Sequence, residues 1–225
     1  MQVDYDTAWQ HTVDSFKQLV DACPASVRVS LEFKPTDPST RFSIVANTAT
    51  ALLLAQEVAN PRFGLTLDVG HMLLAGENPA ASLALVARAG KLFGLHLNDA
   101  HIRLGAEDGL MFASVNPTMS LELVLQLQKV RYSGAVYFDT FPKQVDPVQE
   151  AAWNVRQFKS VWRQAARLSG QLGQLTRTHD ALGILQLLED DGSNRPRSLQ
   201  ALNAALQDAL QAAQDALHGD VHDEL

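Results

Sequence analysis

Four side chains that can bind a metal ion or transfer a proton stand at the ends of separate apolar segments. They are Glu32, Asp68, His96 and Asp139. The carboxyl ends of parallel strands meet on one side of an α/β fold, so we expect these side chains to lie close together. Buried carboxylates are costly unless they are paired or bound to a metal. The mixture of carboxylates and imidazole therefore predicts a centre for a divalent ion such as Mn²⁺, Co²⁺ or Zn²⁺.

The sequence Asp68-Val69-Gly70-His71 offers a second imidazole close to one of these strand ends. Asp68 closes an apolar segment and His71 follows three residues later, with Gly70 permitting a tight backbone path between them. This spacing predicts that both side chains reach the same side of the sheet. The alternative is that Asp68 only caps a helix, since Asp is a favoured N-cap, and that His71 is incidental.

Further charged residues stand near the predicted centre. Lys34 lies two residues beyond Glu32, and alternate residues of a strand point to the same side, so Lys34 is expected to reach the centre. A surface lysine that begins a loop is the alternative. The segment 105–110 adds Glu107 and Asp108, which predict either a second metal site or a solvated acidic loop. His101 and Arg103 precede it and are candidates for contacts with substrate oxygens.

The elements that position these residues alternate along the chain. Helices are predicted at 6–22, 43–60, 79–89, 120–129 and 146–167, and strands at 27–33, 63–69, 92–97 and 135–138. We expect Asp6 and Asp146 to cap the first and last of these helices. Such alternation predicts an α/β fold with a parallel sheet and right-handed crossovers. Nearly continuous apolar strands indicate a sheet that is buried on both faces.

The composition changes after residue 167. Gln, Ala, Leu and Asp dominate there, and two more helices are predicted at 172–188 and 199–217. A leucine seam at helical spacing indicates packing or association rather than chemistry. We therefore predict a (β/α) domain at 1–167 and a helical C-terminal extension at 168–225.

The overall composition limits the function. The chain has 225 residues, 46% of them hydrophobic, and a formal net charge of −7. An acidic chain is a poor nucleic-acid binder, which argues against endonuclease chemistry. No signal peptide or membrane span is predicted, and the single cysteine, Cys23, fits a reducing compartment. We expect a cytoplasmic protein that binds neither nucleic acid nor membrane.

The strand ends resemble those of the xylose-isomerase-like barrel superfamily of sugar isomerases and epimerases, most closely L-rhamnose isomerase and related ketose isomerases. The resemblance covers about residues 5 to 167. Leu31-Glu32-Phe33-Lys34-Pro35 is similar to the family's Glu-x-Lys-Pro, and Asp68-Val69-Gly70-His71 to its Asp-x-Gly-His. His96-Leu97-Asn98-Asp99 resembles its His-x-Asn-Asp, Tyr137-Phe138-Asp139 its last acidic strand end, and residues 108–115 the segment after its second-metal carboxylates.

The resemblance implies a role for each candidate residue. Glu32, Asp68, His96 and Asp139 would bind one divalent ion, which is Mn, Co, Mg or Zn. His71 and Glu107 would help to hold a second, catalytic ion. Lys34 would contact the substrate oxygen where charge develops. The implied activity is metal-dependent aldose–ketose isomerisation of a small sugar, with Lys34, His71, Glu32 and Asp139 as catalytic residues.

Two other functions remain open. The first is ketose 3-epimerisation on the same fold, in which Glu32 and Asp139 would be the acid/base pair. The second is an inactive metal-binding or interaction fragment. Four strands make half of the family's eight-stranded barrel, the C-terminal half, which predicts a truncated or split chain. Because a half barrel exposes two sheet edges, we expect a complementary N-terminal half or a homo-oligomer.

Overall fold

A four-stranded parallel sheet forms the centre of the fold. The computed structural model describes residues 3–37, 42–102, 108–141, 143–191 and 207. The strands are β1 (Val29–Glu32), β2 (Phe63–Asp68), β3 (Leu92–Leu97) and β4 (Ala135–Phe138), and they lie in the order β1-β2-β3-β4. Every neighbouring pair is parallel. The predicted α/β fold with a parallel sheet is confirmed.

Helices connect the strands and follow the last one. They are α1 (Tyr5–Ala22), α2 (Thr48–Val58), α3 (Val69–Leu74), α4 (Pro79–Arg88), α5 (Pro117–Lys129), α6 (Pro147–Arg177) and α7 (Ala181–Asp190). Helix α1 packs on α2, and α4 packs on α5 and β3. In the part of the chain that the structure describes, no helix is long and apolar enough to cross a membrane.

Two predicted helix starts were wrong because the side chains that cap the helices lie at other residues than expected. The N-cap of α1 is Asp4, whose carboxylate accepts a hydrogen bond from the Thr7 amide, and not the predicted Asp6. Helix α2 begins at Thr48 rather than at residue 43, because Asn47 and Thr50 form a reciprocal capping box. The apolar residues before Asn47 are therefore part of a loop.

The predicted helix at 172–188 is also wrong. Helix α6 continues to Arg177, the backbone then turns through His179 with φ of 56°, and Asp180 caps α7. The predicted helix at 199–217 lies outside the described residues apart from Gln207. The contacts of the chain divide it into two compact units, Met1–Ser169 and Gly170–Leu225, a division that falls within α6.

The two faces of the sheet differ in character. The face toward the helices is apolar and carries fully buried leucines from β2 and β3: Leu65, Leu67, Leu95 and Leu97. The other face carries polar and small residues, including Ser30, Thr66, Gly94 and His96. The hydroxyls of Ser30 and Thr66 lie 2.6 Å apart on this face. Alternation along each strand thus places the ligand-type side chains on the face opposite the buried leucines.

Burial of the sheet is uneven, which differs from the prediction that it is buried on both faces. All of β2 is buried, whereas in β4 Val136 is 37% and Tyr137 is 59% exposed. Within the described residues, β1 pairs only with β2 and β4 only with β3. Each end of the sheet is therefore an edge with unpaired backbone groups in this part of the chain.

We expect the substitution Gly94→Ala to destabilise the sheet. A Cβ atom at Gly94 would lie 2.5 Å from Oγ1 of Thr66. Because the Thr66 side chain is buried, it has little room to move, and the expected loss is about 1–3 kcal/mol in the free energy of unfolding. Urea denaturation measures this loss. The matched control is Gly170→Ala in α6, where a Cβ meets nothing within 4 Å and stabilisation by about 0.5–1 kcal/mol is expected. Equal effects of the two substitutions would contradict the prediction.

Candidate metal centre

The structure brings the four predicted ligands together at the carboxyl ends of the strands. Glu32 ends β1, Asp68 ends β2 and pairs in register with His96 of β3, and Asp139 directly follows β4. Each side chain offers one donor atom, and the four donors lie within 4.8 Å of one another. We call these four residues the ligand cluster.

His96 lies at the centre of the ligand cluster. Its Nδ1 atom is 3.2 Å from Oε2 of Glu32, 3.6 Å from Oδ2 of Asp139 and 4.0 Å from Oδ2 of Asp68. Among the described residues, this buried nitrogen has no partner in hydrogen-bond geometry. Nδ1 of His96 therefore lies close to three carboxylates but forms no aligned hydrogen bond with any of them.

The close packing of charges shifts the pKa values of the cluster. The side-chain interaction with Glu32 raises the pKa of His96, although burial opposes this shift. Burial would raise the pKa of Glu32, but its interactions with His96, His71 and Lys34 outweigh burial and lower it. Burial raises the pKa of the Asp68 carboxyl, and His71 and Asn98 oppose that shift. The cluster is thus a site of concentrated negative charge that favours a cation.

Glu32 and Asp68 each direct one carboxylate oxygen toward His71 and the other toward His96. Oε1 of Glu32 lies 3.3 Å from Nδ1 of His71, whereas its Oε2 faces His96. Oδ1 of Asp68 lies 3.8 Å from the same His71 nitrogen, whereas its Oδ2 faces His96. His71 is only 3% exposed. The two predicted imidazoles therefore contact the same pair of carboxylates.

Asp68 also has the structural role that the sequence offered as an alternative. It is the N-cap of α3, and its Oδ1 accepts a hydrogen bond of 2.9 Å from the His71 amide. This contact uses one oxygen and leaves the other directed at His96. Capping and membership of the ligand cluster are compatible because a carboxylate has two oxygens.

The remaining predicted residues have different outcomes. Lys34 is half-buried and close enough to Glu32 for its charge to lower the pKa of that carboxyl. Asp108 accepts a hydrogen bond of 2.8 Å from the His101 amide through Oδ2. Glu107 and Arg103 lie outside the described residues, so a second metal site held by His71 and Glu107 stays a prediction.

Sequence reasoning did not identify the roles of two residues that follow His96. Asn98 is 1% exposed and donates hydrogen bonds to Asp68. Asp99 is 0% exposed and accepts hydrogen bonds from the amides of Ala100, Val115 and Asn116. Two signals were present in the sequence: polar residues immediately after an apolar strand, and the resemblance of His96-Leu97-Asn98-Asp99 to a family motif. Neither signal identified the partners of Asn98 or Asp99.

The residues of the ligand cluster fit a divalent ion. Donors held about 2.0–2.2 Å from one ion lie within about 4.4 Å of each other, so the observed spacing needs only a small contraction. Three carboxylates and one imidazole are donors that Mn²⁺, Co²⁺, Zn²⁺ and Mg²⁺ accept. An ion would also supply a partner for Nδ1 of His96.

Metal binding should weaken as the pH falls through the raised pKa of His96. Binding requires a neutral imidazole, so below that pKa the ion must displace a proton, and the affinity falls about tenfold per pH unit for each proton displaced. The folded pKa exceeds the ordinary value of 6.5. Charged His96 therefore stabilises the metal-free fold fully below about pH 6.5, and this contribution is lost as the pH rises through the folded pKa.

Raising the pH thus strengthens metal binding but removes the stabilisation that charged His96 gives to the metal-free fold. The increase in melting temperature caused by Mn²⁺ should therefore be larger at pH 8 than at pH 6. Differential scanning fluorimetry with and without Mn²⁺ across this range measures it. An increase that does not change with pH would contradict a role for His96 as a ligand.

Curated relatives of this chain include sugar isomerases. Xylose isomerase of Thermus thermophilus is 32% identical over 127 residues, which cover 56% of this chain and 32% of the relative. A probable sugar isomerase of Mesorhizobium japonicum is 27% identical over 138 residues, which cover 61% of this chain and 31% of the relative. The chain thus spans about a third of the length of these relatives.

Solved structures share the fold at low identity. A xylose isomerase domain protein from Alicyclobacillus acidocaldarius superposes with a TM-score of 0.60 at 20% identity, covering 74% of this chain and 62% of that protein. The IolI protein, solved with a zinc atom, superposes with a TM-score of 0.57 at 20% identity, covering 73% of this chain and 60% of that protein. L-ribulose 3-epimerase superposes with a TM-score of 0.56 at 17% identity, covering 73% of this chain and 57% of that protein.

A family model described as the xylose isomerase-like TIM barrel matches residues 2–161, which is most of the chain. The match includes all four strands and every residue of the ligand cluster. The chain belongs to the xylose isomerase-like TIM barrel family.

Proposed function

We propose that this chain carries the metal centre of a sugar isomerase that interconverts an aldose and a ketose. The observation that carries the proposal is the ligand cluster, in which four donors at the carboxyl ends of four parallel strands lie within 4.8 Å of one another. Carboxyl ends of barrel strands are where enzymes of this architecture place their chemistry. The sugar isomerases among the curated relatives favour this reaction over other chemistries of the fold.

The residues of the cluster have distinct tasks in this proposal. Glu32, Asp68, His96 and Asp139 hold one divalent ion, which is Mn, Co, Mg or Zn. When bound, such an ion polarises a sugar carbonyl and stabilises negative charge on its oxygen. Lys34 donates a hydrogen bond to the same substrate oxygen, and its position near Glu32 supports this role. His71 and Glu107 would hold a second ion.

A complete barrel is part of the proposal. The described strands make half of an eight-stranded barrel, and β1 and β4 each have an edge without a neighbouring strand among the described residues. We propose that the sugar binds when these edges are covered by a complementary half or by a second copy of the chain.

The experiment is an isomerase assay on metal-depleted and Mn²⁺-loaded protein, offered a panel of aldoses and read by NMR. A ketose should form only in the loaded protein. At saturating Mn²⁺, Lys34→Met should lower kcat, whereas Lys159→Met on α6, outside the ligand cluster, should leave kcat unchanged. Mn²⁺ binding without conversion of any sugar by the assembled barrel would contradict the isomerase proposal and favour the inactive fragment.

Ketose 3-epimerisation is the second candidate, and one observation favours it. The side chains of Glu32 and Asp139 are 31% and 28% exposed, whereas that of Asp68 is 0% exposed. Two reachable carboxylates that contact the same imidazole are suited to exchange protons with a bound ketose. A ketose incubated in D₂O separates the reactions: a C3 epimer labelled at C3 indicates epimerisation, and an aldose indicates isomerisation.

A further inference from the structure

Asn98 is a buried amide that connects three parts of the site. It follows β3, and its side chain contacts Asp68 at the end of β2, Gly70 in α3 and the backbone of Asp139 after β4. We propose that Asn98 is a positioning residue that fixes two metal ligands, Asp68 and Asp139, in the orientation required to bind the ion. This inference rests on the metal centre of the proposed function.

The hydrogen bonds of Asn98 use its whole amide. Nδ2 donates to Oδ1 and Oδ2 of Asp68 at 3.2 and 3.0 Å, and to the carbonyl oxygen of Asp139 at 3.0 Å. Oδ1 accepts from the Gly70 amide at 2.7 Å. Both amide hydrogens and the amide oxygen therefore have partners, as a side chain that is 1% exposed requires.

These contacts determine the orientation of the Asp68 carboxylate within the ligand cluster. The His71 amide already holds Oδ1 of Asp68, and the Asn98 amide bridges Oδ1 and Oδ2, so the plane of the carboxylate is fixed. In this orientation Oδ2 faces Nδ1 of His96 at 4.0 Å. Fixing a ligand before the ion arrives removes the entropic cost of ordering it during binding.

Asparagine is the residue type that this position requires. Aspartate keeps the shape and the acceptor toward Gly70 but would place a carboxylate oxygen against Asp68 and the Asp139 carbonyl. Leucine would leave the Gly70 amide, the Asp68 carboxylate and the Asp139 carbonyl without the hydrogen bonds that Asn98 forms with them. A neutral donor also adds no negative charge to a cluster that already has three carboxylates. A Cβ atom at Gly70 would lie 3.1 Å from Oδ1 of Asn98, so the backbone approaches closely here.

The test compares metal binding by the wild type, Asn98→Asp and Asn98→Ala. Mn²⁺ affinity is measured by calorimetry, and the coordination geometry by the visible absorption of bound Co²⁺. Loss of such an outer contact typically weakens metal binding about 10–100-fold. The matched control is Asn47→Asp, which makes the same change at the N-cap of α2, outside the ligand cluster, where aspartate is an equally good cap.

The expected result is a 10–100-fold weaker Mn²⁺ affinity and an altered Co²⁺ spectrum for both Asn98 variants, with neither change in Asn47→Asp. Unchanged affinity and spectrum in the Asn98 variants would overturn the inference. Absence of metal binding by the wild type would instead overturn the metal centre of the proposed function.

A measurement on the wild type covers the case in which neither Asn98 variant folds. The side-chain amide protons of Asn98 should shift in the NMR spectrum when diamagnetic Zn²⁺ binds, because the ion withdraws charge from the Asp68 oxygens that accept their hydrogen bonds. Zn²⁺ binding that leaves these resonances unmoved would overturn the inference.

Discussion

Replacing Asp68 with asparagine is expected to remove metal binding by this chain almost completely. The substitution keeps an oxygen that can accept the hydrogen bond from the His71 amide, so the cap of α3 survives. It removes the anionic ligand that faces His96 and places a second amide against Asn98. Because a direct ligand is lost, the decrease in affinity should exceed the roughly 10–100-fold typical of outer contacts.

Thermal denaturation with and without Mn²⁺ measures the effect as the increase in melting temperature that the ion causes. The wild type should show an increase, and Asp68→Asn should show none at the same concentration of ion. The control is Asp146→Asn, which changes an exposed carboxylate that caps the Gln149 amide and is not a member of the ligand cluster. An increase in Asp68→Asn equal to that of the wild type would refute Asp68 as a ligand.

The ligand cluster could be predicted because it follows from local patterns. Apolar segments identified the strands, and alternation with helices implied that the strands are parallel. Parallel strands place Glu32, Asp68, His96 and Asp139 on one side, where the structure has them. The strand ends and the alternation of strands with helices therefore predicted which side chains lie near one another, without any knowledge of tertiary contacts.

Helix ends could not be predicted to the residue because side-chain caps compete with apolar periodicity. Residues 43–46 are nearly as apolar as α2 itself, but the capping box of Asn47 and Thr50 begins the helix at Thr48. The long helix α6 ends where His179 adopts a left-handed conformation, and nothing in the surrounding composition marks that residue as a break. Propensity is a weak signal at such positions.

The roles of Asn98 and Asp99 could not be predicted because they depend on contacts between distant residues. Asn98 contacts Asp68, 30 residues earlier, and Asp99 contacts Asn116, 17 residues later. Polar residues after a strand are usual in loops, so their types alone indicate neither burial nor partners.

Replacing Asp99 with asparagine is expected to destabilise the fold strongly. Asp99 is 0% exposed, and its backbone forms an antiparallel bridge with Leu110. Oδ1 accepts from the Ala100 amide at 2.9 Å and from Nδ2 of Asn116 at 2.6 Å. Oδ2 accepts from the amides of Val115 and Asn116 at 2.7 and 2.8 Å.

Asparagine can accept only the hydrogen bonds made to one of the two carboxylate oxygens of Asp99. Its amide nitrogen must replace one carboxylate oxygen, and two of the four donors, which are buried or partly buried, would then face another donor. Leaving such a donor without an acceptor costs about 1–3 kcal/mol, so a total loss of about 2–6 kcal/mol in the free energy of unfolding is expected for the two donors. That loss is large for a domain whose whole stability is about 5–15 kcal/mol.

Urea denaturation of the metal-free protein isolates this effect from metal binding. The matched control is Asp4→Asn, because Asp4 also accepts a backbone amide but is exposed at the start of α1, where asparagine is an equally good cap. The urea midpoint of Asp4→Asn should stay close to that of the wild type, and that of Asp99→Asn should fall well below both. Equal midpoints for the two variants would show that the Asp99 carboxylate does not hold residues 110–116 against the end of β3.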